Sequence, residues 1–270
     1  MKLKKPMLEK VMLFVVTFFY SIIITAQYDN TFYCLLVAGL MVFSVAYCFE
    51  GVNTQLIKIH SVTYKLILAI GFVTFVGVIG GSLVLKYLTY SSPNFDLGLF
   101  SQMFHYMSSD LSSERDVLLS HFCVHISPIF YCILPLYMLY KSAATLQFAQ
   151  ALVIGLAVFP LAGICRHLKL SRFETALFCI AYLLYPVVSG GCFYDIHENI
   201  FLPLCIFTLL YYCEKESWIG IIISTVFLLG VKEDAAVYAV CIGLYTLFYK
   251  KMYKKSIFII VISGLYFIFT

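Results

Sequence analysis

Runs of apolar residues recur along the chain at about 11–26, 31–49, 66–89, 127–140, 145–165, 174–191, 199–213, 217–231, 235–249 and 256–270, with short polar stretches between them. Several reach the roughly 20 residues that a helix needs to cross a hydrocarbon core. Helices are also the spanning element that satisfies its own backbone in lipid. The pattern predicts an all-α, polytopic membrane protein of about nine transmembrane spans with external juxtamembrane helices.

Segment 127–140, SPIFYCILPLYMLY, decides the topology, because it is short, contains Pro135, and KSAA separates it from the next run. The positive charges provide a test. With a cytoplasmic N-terminus and a crossing 127–140, the 18 Lys and Arg divide 8 inside to 10 outside. If the segment stays on the outer surface, 14 fall inside and only Lys86, Arg115, Lys141 and Lys232 fall outside. Cytoplasmic loops carry the excess of Lys and Arg, so the second topology is preferred. It has a further consequence. Loop 90–126, the corner YDIHEN (194–199) and the corner VKED (231–234) then share one face, the extracytoplasmic face of the cell membrane.

Composition agrees with this class: 62% of residues are hydrophobic and only 12% are charged, about half the share of a soluble chain. MKLKKPMLEK followed by VMLFVVTFFYSIIITAQ imitates a signal peptide. No small-residue cleavage site follows, so it is read as a retained first span. Residues 1–65 then form an N-terminal transmembrane hairpin and residues 66–270 the core, with 90–126 as its large external loop. The ten Cys are scattered without a CxxC pair, which supports neither a zinc ribbon nor a disulfide framework. No P-loop, GxGxxG, HExxH or GxSxG occurs, so ATP, nicotinamide and serine-hydrolase chemistry have no support. The net charge of +4 is spread over membrane-flanking loops, and no nucleic-acid partner is expected.

Four polar clusters carry the candidate chemistry. In PNFDLGLFSQMFHYM (93–107), Asp96 precedes an apolar stripe of Leu99, Phe100, Met103, Phe104 and Met107. Ser101, Gln102, His105, Ser108 and Ser109 lie opposite, as in an amphipathic helix lying in the interface. Asp96 either caps that helix or serves as a general base, and the two roles are compatible. His121 and His125 in HFCVHISP have a spacing that suits a metal pair on a helix, or else they make ordinary interfacial hydrogen bonds. Asp195, His197 and Glu198 either hold a divalent cation or form a solvated turn, with Asp195 or Asn199 capping the following helix. Lys232, Glu233 and Asp234 interrupt an apolar stretch, where charges mark function, or an internal Lys–Asp pair at a tight corner. Lys232 suits a phosphate as a compact cation.

The succession FDLGLF, HISPIFYCILPLY, YDIHEN and VKEDAA resembles the family called domain of unknown function 2079, over roughly residues 85–245. DIHEN lacks a proline that the family carries at that turn. That family is in turn similar to the GT-C glycosyltransferases, which use polyprenyl-phosphate-linked sugars on the extracytoplasmic side. The resemblance implies a polyprenyl-phosphate sugar as donor, the bilayer as surroundings, Asp96 as the first catalytic acid and Asp195 as the second. His197 and Glu198 would hold a divalent metal ion, and Lys232, Glu233, Asp234 and His125 would bind substrate. It also implies helices beyond Thr270, which makes the chain a truncated gene product, a fragment, or a minimal relative that needs a partner subunit supplying further C-terminal elements. The alternatives are a non-catalytic transporter or lipid- or solute-binding protein using the same charges, and a degenerate GT-C homologue.

Overall fold

The apolar runs fold as helices, several of them starting at a hydroxyl or imidazole side chain that caps the first turn. The computed structural model describes residues 57–92, 95–112 and 120–270, and the expected spans at 11–26 and 31–49 lie outside the described residues. Helix α1, Ser61–Leu88, begins at His60, whose Nδ1 accepts the Val62 N–H at 3.4 Å. Its turn Val76–Gly80 is π-helical, the extra residue being taken up where small Gly residues lie close to α4. A Cβ on Gly80 would stand 3.0 Å from the Phe148 ring.

Helix α2 is Phe95–Asp110 and α3 is Leu134–Leu139. Helix α4, Ala143–His167, starts at Ser142, whose hydroxyl accepts the Ala144 N–H. Helix α5, Arg172–Gly191, starts in a capping box: Ser171 and Glu174 satisfy each other's backbone N–H groups. It breaks at Tyr185, the residue before Pro186, which proline keeps out of the helical region. Helices α6 (Leu202–Glu214), α7 (Trp218–Leu229), α8 (Ala235–Phe248) and α9 (Tyr253–Phe269) complete the described order. The described residues hold helices and no β-strand, an all-α architecture.

Helices α1, α4 and α5 are each long and apolar enough to cross a membrane. The expected spans from 199 onward fold as shorter helices of 13, 12, 14 and 17 residues, cut by the charged corners between them. Residues Ile57–Thr270 form one compact unit in which α4 is the most buried of the three long helices. Helix α4 packs on α1 through its first half and on α5 and α6 through its second, while α9 lies along α8.

Segment 127–140 does not cross. It folds as a 3₁₀ turn, Pro128–Cys132, followed by the six-residue α3, a length far short of a span. Both of its ends stay at one end of the bundle. The Ile129 N–H donates to the Gly230 carbonyl at 2.9 Å, and Lys141–Ala143 stand beside Tyr87 and Gly98. The basic loops gather at the opposite end, where Arg172 donates to the Ile59 carbonyl and Lys250 meets the buried Glu214 at 2.6 Å.

Helix α2 departs from expectation. Its buried residues Leu97, Phe100, Met103, Phe104 and Met107 face protein, with the Phe104 ring against Phe130 and Tyr137. A stripe read from sequence as lipid-facing is core, because the short segment 128–139 folds back over it.

Helix α6 approaches α4 at Gly163, where a Cβ would come within 2.6 Å of the Tyr211 ring. Gly163→Val is expected to lower stability by about 1–3 kcal/mol through overpacking, read as a lower Tm in detergent. Gly190→Ala, where nothing lies within 4 Å of the added Cβ, is expected to leave Tm unchanged.

Candidate functional site

The site is assembled from the start of α2, the corner 192–198 and the corner 230–234. The first-turn N–H groups of a helix have no intrahelical partner. In α2 one of them, Leu97 N–H, is accepted by Oδ2 of Asp195 at 3.2 Å, across 98 residues of sequence. Asp195 therefore does the capping that the sequence pattern assigned to Asp96, and it caps α2 rather than the helix that follows it. Asp96 lies inside the first turn with its carboxylate turned away from the backbone.

Two side chains that the sequence reading did not single out hold the corner in place. Gln150, fully buried on α4, donates through Nε2 to the carbonyls of Cys192 and Tyr194. Lys86, near the end of α1, donates to the Phe193 carbonyl at 2.8 Å. Backbone carbonyls at an irregular corner need donors when water is excluded, and here long polar side chains from two long helices supply them.

With the corner fixed, a chain of charged groups follows. Oδ2 of Asp96 is 3.2 Å from Nε2 of His197, and the Tyr194 hydroxyl donates to the same oxygen at 3.4 Å. The Tyr194 and His197 rings are stacked, and the Phe100 ring meets His197 edge-on. Nδ1 of His197 is 3.5 Å from Oε2 of Glu198, whose other oxygen is 3.5 Å from Nζ of Lys232. Beside this chain, Nδ1 of His125 lies 2.8 Å from Oε1 of Glu233.

The three expected clusters thus meet. His121 is buried among the rings of Phe100, Phe122 and Phe130 in a short 3₁₀ turn, and its ring centroid lies 6.1 Å from that of His125, whose N–H donates to the His121 carbonyl. Asp234 stands apart, exposed at the start of α8, and its side chain makes no capping bond to that helix. Lys232 pairs with Glu198 rather than with Asp234.

Both ring nitrogens of His197 face carboxylates, and among the described residues no group of three or more His, Cys, Asp or Glu converges as a metal site. His197 and Glu198 as arranged are paired with each other.

A family model described as "Predicted membrane protein (DUF2079)" matches residues 86–270, the stretch that carries all of these side chains. The chain belongs to the DUF2079 family. No curated protein and no solved structure matches it.

Electrostatics separates the acids of this DUF2079 site. Burial, at 3% exposure, raises the Asp195 carboxyl above the usual range, with the nearby Asp96 adding and the Leu97 N–H and Lys86 opposing. Burial also works against the Glu198 anion, yet the adjacent His197 and the field of Lys232 outweigh it and hold the carboxyl at about 2. His197 is raised, first by Glu198, against its own burial, with help from Asp96. The Glu233 carboxyl is lowered despite burial, by backbone and His125 hydrogen bonds. The stretch Asp96–His197–Glu198 is a chain of carboxyl, imidazole and carboxyl groups in which the surroundings of His197 favour its protonated form.

The signs give a pH window. The raised His197 contributes stability that is complete below its unfolded value near 6.5 and is lost as pH rises through its folded value. The depressed Glu198 contributes stability that is present above about 4.5 and is lost as pH falls through about 2. The raised Asp195 favours folding below its unfolded value of 3.8, and that contribution is lost as pH rises through its folded value. By NMR, His197 is expected to titrate above 6.5 and to fall toward or below it in Glu198→Gln; an unchanged midpoint in the variant would contradict the pairing. Gln150→Leu strips the buried Cys192 carbonyl and the part-buried Tyr194 carbonyl of their donor and is expected to cost about 1–3 kcal/mol, measured as a loss of Tm.

Proposed function

We propose that the chain is an integral membrane glycosyltransferase that uses a polyprenyl-phosphate sugar on the extracytoplasmic side of the cell membrane. The observation that carries this reading is the division of labour between two aspartates. Asp195 holds the helix, and Asp96, with 24% of its side chain exposed, keeps an open carboxylate braced by His197 and Tyr194. A fixed, hydrogen-bonded, accessible carboxylate is what a general base requires.

In the proposed reaction the acceptor hydroxyl oxygen forms a bond to the anomeric carbon of the donor sugar. The bond from that carbon to the phosphate oxygen breaks, and the electron pair leaves on polyprenyl phosphate. The hydroxyl proton passes to Asp96, whose carboxylate it neutralises. The imidazolium of His197 steadies the Asp96 anion before transfer, and Lys232 balances the charge growing on the departing phosphate. Buried oxygens of Asp195 and Glu233 that no described protein donor reaches are suited to receive sugar hydroxyl protons as hydrogen-bond donors.

A cavity of about 510 Å³ supports the lipid side of the reading. It begins at Ile129 and Phe201, next to the turn that carries Glu198, and continues to Tyr212 and Phe227 between the helices. Its lining is almost wholly apolar, as an isoprenoid chain requires. Among the described residues, the basic loops 166–172 and 250–255 gather at the opposite end, which supports the orientation.

The test is transfer in membranes. Wild-type chain supplied with radiolabelled polyprenyl-phosphate sugars is expected to move label to acceptor glycans. Asp96→Asn is expected to reduce the rate by about 10²–10⁴-fold. Normal transfer by Asp96→Asn contradicts the role of that residue. No transfer with any donor, from folded protein, favours a lipid- or solute-binding protein.

A further inference from the structure

The polar stripe of α2 has a use unrelated to Asp96. Ser101, Gln102 and His105 face away from the Asp96 site and form one wall of a second cavity, of about 540 Å³. The other walls are Tyr87 from the end of α1, Tyr137 from α3, and Lys141–Ala143 at the start of α4.

Three properties of this cavity point to a ligand. Among the described residues its lining holds Lys141 and His105 and no Asp or Glu, at an end of the molecule that also carries Asp96, Asp195, Glu198 and Glu233. Lys141 forms no ion pair among the described residues, so its charge is not consumed by the protein. The Ser101 hydroxyl is buried with no hydrogen-bond partner among the described residues, and nothing lies within 4 Å of where a Cβ on Gly98 would stand. An ammonium group, a hydroxyl and a carboxamide around an open floor recognise a small multidentate oxyanion, since compact cations and neutral donors share its oxygens.

We propose that this cavity binds a phosphate group, held by Lys141 with Ser101 and Gln102. Two sources share that chemistry: free phosphate, and the headgroup of an anionic lipid. The lipid source is compatible with Tyr87 and Tyr137, amphipathic rings of the kind found at membrane surfaces, beside the end of a spanning helix. The site stands independently of the transfer reaction, because it lies on the other flank of α2 and needs none of the residues in the Asp96 chain.

The experiment measures Tm of the full chain in phosphatidylcholine nanodiscs in phosphate-free buffer. One arm titrates inorganic phosphate; the other replaces part of the lipid with phosphatidylglycerol. Wild type is expected to gain Tm in at least one arm, and which arm identifies the source. Lys141→Gln is expected to weaken the response about tenfold, the size of one charge-assisted hydrogen bond. Gly98→Leu, which fills the floor without meeting protein at its Cβ, is expected to remove the response. Lys169→Gln, at the opposite end, and Asp96→Asn are expected to respond as wild type. No gain in either arm, or equal responses from Lys141→Gln and Lys169→Gln, overturns the proposal.

Discussion

A helix that starts at the edge of a membrane must find acceptors for its first N–H groups where water is scarce. In this chain the start of α2 finds one in Asp195, a nearly buried carboxylate from the far end of a different helical hairpin. The bond works only if the corner 192–195 is held still, which Gln150 on α4 and Lys86 on α1 accomplish through its carbonyls. Two long helices, the corner and α2 are thereby fastened to one another by polar contacts that a soluble protein could exchange for water. In a hydrocarbon setting the alternative is an unsatisfied buried group, and that asymmetry gives the arrangement its strength.

The same constraint shapes the chemistry. Because Asp195 serves the backbone, Asp96 is free to face outward and to pair with His197 and Tyr194. Because Glu198 is buried and opposite Lys232, it can keep His197 charged without neutralising it. Buried ion pairs are weak contributors to net stability, and their better-supported use is to fix one geometry. Here the geometry fixed is that of the Asp96 carboxylate and its braces. The second cavity, on the opposite flank of α2, depends on that helix being anchored where it is.

Much of this was legible in the chain itself. Apolar run lengths determine the class, and the arithmetic of 18 Lys and Arg is enough to keep segment 127–140 from crossing. Once that segment stays on one side, Asp96, the 194–199 corner and the 231–234 corner must share an end, and His197, Glu198, Lys232 and Glu233 do meet there with Asp96 and His125. The cap was misread because Asp96 is the local candidate at a helix start, whereas the carboxylate that wins is 98 residues away. Gln150 and Lys86 were missed for a related reason: a side chain reaching a carbonyl 42 or 107 residues distant leaves no periodic trace. The stripe of α2 was assigned to lipid because periodicity reports that a face is apolar, not what covers it.

The exchange of roles between the two aspartates is most directly tested by amide hydrogen exchange at the first turn of α2, residues 97–100, in the full chain in nanodiscs. Asp195→Ala is expected to speed exchange at Leu97 and its neighbours, while Asp96→Asn leaves those amides protected as in the wild type. Fast exchange in Asp96→Asn with protection kept in Asp195→Ala would return the capping role to Asp96 and contradict the account.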